Sequence, residues 1–483
     1  MKKLLFGLLV LGSSYVNAQS ANTTRFDSLT NAYQANGYHG VVLVAKGDQV
    51  LYEKAYGLAN FEKKIPHRLT TEFKTESTGK MFTATAIFQL VEKGKLTLSQ
   101  TLQELLPEMG IAKADKITVE QLLNHTSGLQ SPWDHPQFSF KKDYTKEELV
   151  QIIKEVPRAY EEPGGPMFYS NSGYKILGWI IEKISGQPFD EYFRKNIFDV
   201  AGMKTIRHLG DTVMPVATGA QPYRVIHSGK FIRMDETLGR KAGAAGGWIA
   251  QTKDHYRFML SLLENKLVSA ATLQTMISGN GKAPKNPSYR YYAFGLETYF
   301  NTGVPGTLLV GHNGGGAGFS VDAYMDTASK IIVISFTNMY QDSRRIMANY
   351  FKMAKGLPVD PVEQLMWVRV YDKVRATGME YFSAHADSLL KEVNVQPHPG
   401  MFGMVGDAMG AGGDEALKLQ WLKLGAKYYP EEPMLQLFIG DTYHGMKDKP
   451  GAKAAYESML ALAQKRKDAR LEKMAMEKLK QDL

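Results

Sequence analysis

The chain has no cysteine in its 483 residues. That excludes disulfides, thiolate metal sites, a cysteine nucleophile and cysteine-linked lipid. Charge of one sign is also scarce: 58 Lys and Arg stand against 49 Asp and Glu, a formal net charge of +9. So mild an excess, with no clustered basic stripe, argues against a nucleic-acid partner. No apolar run approaches the roughly 20 residues that a bilayer span needs, so no stable membrane span is expected. The 11 histidines contain no H-E-x-x-H or other paired-ligand spacing, which disfavours a catalytic zinc. Neither metal nor cofactor is implied. Gly79-Lys80 is similar to the end of a phosphate loop, but Lys74 stands where its first glycine is required. The run from Gly314 to Gly318 does not spell G-x-G-x-x-G, and a glycine turn permitting close backbone approach is the better expectation.

What is present is the composition of a soluble globular protein, 44% apolar and 22% charged, and long enough for two or three domains. Lys2 and Lys3, the apolar run Leu4 to Leu11 and the small residues before Gln19 have the layout of a secretory signal over residues 1–18. Its removal would leave 9 − 2 = +7. The mature protein is therefore expected in a periplasm or outside the cell.

Thr23 to Asn36 reads as a helix, and Val41 to Ala45 and Val50 to Tyr56 flank the hairpin signal Gly47-Asp48. From about Thr75 to Met203 the apolar periodicity is helical, in Met81 to Val91, Val119 to Leu123 and Tyr174 to Ile184. Strand character returns at Tyr223 to Ile232, Ala293 to Phe300, Thr307 to Val310, Phe319 to Met325 and Ile331 to Phe336. Strands at both ends and helices between them predict an α+β fold, an antiparallel sheet flanked by helices with a helical subdomain inserted, over residues 23–356. Beyond Gly356-Leu357-Pro358 the pattern is helical throughout, which predicts a smaller all-α domain over 360–483. Gly440, Tyr443, Ala452 and Tyr456 fit a helix-turn-helix repeat of about 34 residues, and Gly406, Leu422, Gly425 and Pro430 fit the same frame one period earlier. This resembles tetratricopeptide repeats; a helical bundle with chance spacing is the alternative, since only two repeats align. Stacked helix pairs would present a concave surface for a protein partner or for self-association through 360–483.

Ser77-Thr78-Gly79-Lys80 opens an apolar helix, so Ser77 and Lys80 share one face. A serine hydroxyl becomes a useful nucleophile when a neighbouring base takes its proton, and a neutral amine one turn away can be that base. Keeping Lys80 neutral means a fall of about three units from about 10.4, roughly 4 kcal/mol, which demands burial or nearby positive charge. The spacing alone is weak, because Ser139/Lys142, Ser172/Lys175 and Ser388/Lys391 share it. Context separates Ser77: Tyr169-Ser170-Asn171 lies just before a helix, and His312-Asn313-Gly314 follows the strand-like Thr307 to Val310. Ser172 ranks a distant second.

On these motifs the chain resembles the serine β-lactamase and penicillin-binding protein superfamily, within it the class C β-lactamases, DD-carboxypeptidases and related esterases. The resemblance covers roughly Thr23 to Gly356. It implies that Ser77 forms an acyl-enzyme, that Lys80 and Tyr169 share the proton traffic, and that the N–H groups of Ser77 and Gly315 form an oxyanion hole. It further implies that Asn171, His312 and Gly314 bind a small-molecule or peptide substrate, Asn171 donating to its amide or holding Lys80. His125 to Leu129 and Gly246-Gly247-Trp248 are similar to family segments and read as structural turns. His312 departs from the commoner lysine, and with a reference pKa near 6.5 it would be partly charged at neutral pH. The expectation shifts toward peptide or ester substrates; if His312 must be protonated, activity on anionic ones should fall between about pH 6 and 8 while that on neutral esters does not. A β-lactamase, and a non-catalytic scaffold using the helical repeats, are the alternatives.

Overall fold

The structure is a computed structural model and describes residues 23–140, 142, 144–208, 218–234, 243–279, 291–299, 303–316, 318–339 and 343–480. The segment read as a secretory signal lies outside them. Two compact units emerge, one of residues 1–223 and 233–362, the other of 224–232 and 363–483.

The first unit is built on a seven-stranded antiparallel sheet of β1 (Gly40–Lys46), β2 (Gln49–Tyr56), β3 (Tyr291–Tyr292), β4 (Glu297–Tyr299), β5 (Leu309–Gly316), β6 (Phe319–Asp326) and β7 (Ile331–Thr337), in the order β3-β4-β5-β6-β7-β1-β2. Gly47, at φ 57, makes the tight turn between β1 and β2 that the sequence signals. The β-branched and aliphatic runs of β1 and β7 are buried almost end to end, as strands covered on both faces should be. Four helices matter most here: α1 (Gly79–Glu92), α2 (Asn171–Ser185), α3 (Thr252–Leu263) and α4 (Ser343–Ala354). Helix α1 is apolar nearly all round and buried from Gly79 to Leu90, a core helix rather than a surface one. Phe82 on it packs against Phe198, Trp248, His255 and Phe258 with ring centroids 4.8 to 6.2 Å apart. Burial of such a ring is worth roughly 1.5–3 kcal/mol and fixes the start of α1.

One expectation is corrected. The glycines after His312 do not form a turn: β5 runs through Gly316 and pairs with β6 in register from Leu309↔Asp326 to Gly316↔Phe319. Glycine is needed there for space, because a Cβ on Gly314 would lie 2.5 Å from the Thr75 carbonyl and one on Gly316 would strike the Glu76 carboxyl.

In the second unit, α5 (Met366–Thr377), α6 (Pro399–Ala411), α7 (Glu415–Tyr428), α8 (Pro433–Gly445), α9 (Lys449–Arg466) and α10 (Ala469–Leu479) follow one another. A Cβ on Gly440 would lie 2.4 Å from the Tyr456 ring, and one on Gly406 would lie 3.1 Å from Leu422. Small-on-large contacts thus recur in α6/α7 and α8/α9 at the sequence offset noted above. The segment 224–232 comes from the middle of the first unit's sequence yet groups with these helices. The Trp367 indole donates to the Val225 carbonyl at 3.0 Å and Arg224 pairs with Asp407. The strand pattern at Tyr223 to Ile232 therefore marks a hairpin of the second unit and no part of the main sheet.

Candidate active site

Ser77 sits in a 3-10 turn, Glu76–Thr78, that leads directly into α1. The turn is pinned by the Thr78 hydroxyl, which bonds the Thr75 carbonyl at 2.6 Å, and by Thr75 N–H donating to the Trp248 carbonyl at 2.8 Å. One helical turn on, Lys80 is wholly buried, and its Nζ lies 3.0 Å from Ser77 Oγ, 2.7 Å from Asn171 Oδ1 and 2.7 Å from the Ala245 carbonyl. An uncharged amine carries two N–H donors and one lone pair. With the donors engaged by two carbonyl oxygens, the lone pair is left to face the Ser77 hydroxyl.

Tyr169 is half-buried, its ring centroid 4.8 Å from Lys80 Nζ. Both sides of it are tied to the loop after Leu123. Phe168 N–H donates to the His125 carbonyl at 2.8 Å, Ser170 N–H to His125 Nδ1 at 3.0 Å, and Asn171 N–H to Ser131 Oγ at 3.1 Å. The Asn171 side chain also donates to Ser131 Oγ, so its oxygen is the atom left for Lys80. Ser170 caps α2, accepting from Gly173 N–H, and Asn171 is the first helical residue rather than the cap.

Across the site runs the end of β5. Strand β4 pairs with it only as far as Gly311, so beyond that point this edge of β5 has no strand partner among the described residues. Asn313 N–H leaves by this edge, 3.4 Å from Glu297 Oε2. Because N–H directions alternate along a strand, Gly315 N–H leaves by the same edge. Asn313, Gly315 and Gly316 retain exposure, while His312 is 0% exposed. Its ring lies 6.4 Å from that of Tyr169, its Nε2 3.1 Å from the Tyr292 hydroxyl and its Nδ1 3.8 Å from Glu297 Oε1.

Ser77, Lys80, Tyr169, Asn171 and His312 are thus brought together, and Gly314 packs directly over Thr75. In the rival pair the Ser172 hydroxyl donates to the Gln130 carbonyl at 2.5 Å, while burial pushes Lys175 down to about 8. Sequence reasoning read His125 only as part of a structural turn and passed over Ser131, Ala245, Tyr292 and Glu297, whose partners lie far along the chain. It also passed over Glu76, whose φ of 46 places a non-glycine residue in left-handed backbone immediately before Ser77. Such a conformation costs on the order of 1–3 kcal/mol and tends to persist at functional sites. Its carboxyl is pushed up by burial, with Lys74 pulling the other way. Among the described residues no group of His, Asp or Glu is arranged to hold a metal ion.

A serine and a lysine one turn apart at the head of a core helix, beside a strand end that has no strand partner on one side among the described residues, are the equipment of a serine acyl-transfer enzyme. The chain belongs to the Beta-lactamase family, whose model matches residues 26–355. Penicillin-binding protein 4* of Bacillus subtilis is 29% identical over 331 residues, covering 65% of this chain and 70% of its own. A second protein of that organism, the putative penicillin-binding protein PbpX, is 26% identical, covering 68% and 77%. Among solved structures, the octameric penicillin-binding protein homologue from Pyrococcus abyssi superposes with a TM-score of 0.60 at 25% identity, covering 72% of this chain and 80% of that one. The D-amino acid amidase from Ochrobactrum anthropi SV3 shares the fold, with a TM-score of 0.59 at 22% identity over 68% and 99%.

Proposed function

We propose that the protein is an exported serine hydrolase that cleaves amide or ester bonds through an acyl-Ser77 intermediate, in the manner of a DD-peptidase or esterase. The observation that carries this is the placing of Lys80 Nζ, held by Asn171 Oδ1 and the Ala245 carbonyl with Ser77 Oγ 3.0 Å away. Lys80 takes the Ser77 proton as Oγ attacks the carbonyl carbon, and the tetrahedral oxyanion forms against the N–H groups of Ser77 and Gly315. Each such donor is worth about 10²–10³ in rate. Tyr169, beside Lys80, passes a proton to the leaving group as the carbon–heteroatom bond breaks. Water then attacks the ester carbonyl, with the same groups taking and returning its proton. The exposed edge of β5 suits an extended substrate laid beside it as an added strand. Names of relatives that refer to penicillin binding favour an acyl group resembling a peptide.

The C-terminal unit is proposed as the surface for a protein partner or a second copy. Among its helices is a cavity of about 400 Å³ whose lining includes Gly403, Met404, Asp407, Leu422, Phe438 and Asp441.

Wild type and Ser77→Ala are to be incubated with a labelled penicillin, a chromogenic cephalosporin, a peptide ending in D-alanyl-D-alanine and a short-chain aryl ester. Turnover of peptide or ester by wild type alone is expected. Rapid cephalosporin loss would make the protein a β-lactamase instead, and inertness toward all four would leave a scaffold.

A further inference from the structure

Behind the cleft, Glu297 and His312 are both 0% exposed. Three donors converge on one oxygen of the Glu297 carboxyl: the hydroxyls of Tyr324 at 2.5 Å and Tyr299 at 3.2 Å, and Asn313 N–H at 3.4 Å. Donors directed at a carboxyl favour its ionised form. The other oxygen faces His312 Nδ1 at 3.8 Å, and the same nitrogen lies against the Asn313 carbonyl.

A second line fixes the direction of the protons on the far side of the ring. The Tyr174 hydroxyl donates to the Leu123 carbonyl at 2.8 Å, and a carbonyl can only accept. The Tyr174 oxygen is then the acceptor for the Tyr292 hydroxyl at 3.3 Å, which leaves the Tyr292 oxygen to accept from His312 Nε2 at 3.1 Å. Both ring nitrogens therefore meet acceptors. A neutral ring would draw the Tyr292 proton to Nε2, give up the bond to Tyr174, and deprive Glu297 of the positive charge beside it.

We propose that Glu297 is a positioning residue that holds His312 as a doubly protonated imidazolium, giving the cleft a standing positive charge where an isolated histidine would lose it near neutral pH. The consequence for catalysis rests on the acyl-Ser77 reading: the substrates favoured would carry a carboxylate close to the bond that is cleaved. Other titratable groups near this pair include Tyr292 on β3, Tyr299 on β4, Tyr324 and Asp322 on β6, and Tyr169, Tyr174 and His125 on the helical side. Glu297 lies within ion-pair reach of the ring, its Oε1 3.8 Å from Nδ1.

The test uses the full chain with isotope-labelled histidine, the His312 ring signals being assigned by their loss in His312→Gln. In wild type the ring should be doubly protonated at about pH 7, and Glu297→Gln should lower its proton affinity about tenfold or more. A neutral ring at about pH 7 in wild type, or equal proton affinity in the two proteins, overturns the proposal. If Glu297→Gln does not fold, the wild-type ring decides alone. Rate profiles give a second readout: in Glu297→Gln, kcat/KM on a peptide ending in D-alanyl-D-alanine should fall between about pH 6 and 8 while that on a neutral aryl ester does not. Failure to turn over either probe would defeat the acyl-enzyme reading but leave the charge of His312 to be settled by the ring signals.

Discussion

Among the described residues, the side chains of Lys80, His125, His255, Glu297, His312 and Asp322 are buried in the first unit, whereas in the second Thr442 is the one buried side chain that is neither apolar nor aromatic. The helical unit is packed by Trp421, Phe402, Tyr456 and Met459 against glycines that leave them room. Buried polar groups cost free energy unless each is partnered, and a chain keeps them where they do chemistry or fix geometry. The contrast therefore sets a unit whose interior holds partnered polar groups beside one whose interior is packed by apolar and aromatic side chains.

The largest effect that could break this division is at the nucleophile. Ser77→Ala or Lys80→Ala should lower kcat by about 10⁴-fold or more with the fold retained, as judged by circular dichroism. A loss under tenfold would remove the reaction from this unit. Tyr169→Phe should cost about 10²–10³, the usual scale for one proton-transfer group. Stability should divide the units next. His67 and His255 are both pushed down to about 3 by burial. Below the unfolded value of about 6.5 the unfolded chain binds protons that the folded one refuses, so stability falls as pH falls. Each group contributes up to about 1.4 kcal/mol per pH unit. Between about pH 6.5 and 5.5 the first unit should lose roughly 1–3 kcal/mol, measurable by urea unfolding followed with active-site labelling. The smallest effect on the reaction is in the second unit: Gly440→Leu, forced against Tyr456, should destabilise that unit by about 1–3 kcal/mol and leave turnover of an aryl ester unchanged.

Much of this was legible in the sequence, for reasons that particular residues show. Ser77 and Lys80 were readable because a helix fixes the geometry of residues three apart. The strands of the main sheet were readable because β1 and β7 are apolar runs and β6 alternates apolar with polar residues. The hairpin at 224–232 was misassigned because alternation marks a strand but not the unit that covers it. The glycines of β5 looked like a turn because glycine marks any close backbone approach, and only the positions of Thr75 and Glu76 show which kind this is. Glu297 and Tyr292 were invisible as site residues, since they act on His312 through pairings that no local pattern encodes.

The central claim is an ester bond on one hydroxyl, and trapping it is the direct measurement. Full-length protein would be mixed with a labelled aryl ester or penicillin, quenched in acid during turnover, digested, and its peptides weighed. One acyl group is expected on the peptide containing Ser77, absent from Ser77→Ala. Label on another residue, or undiminished turnover by Ser77→Ala, would contradict it.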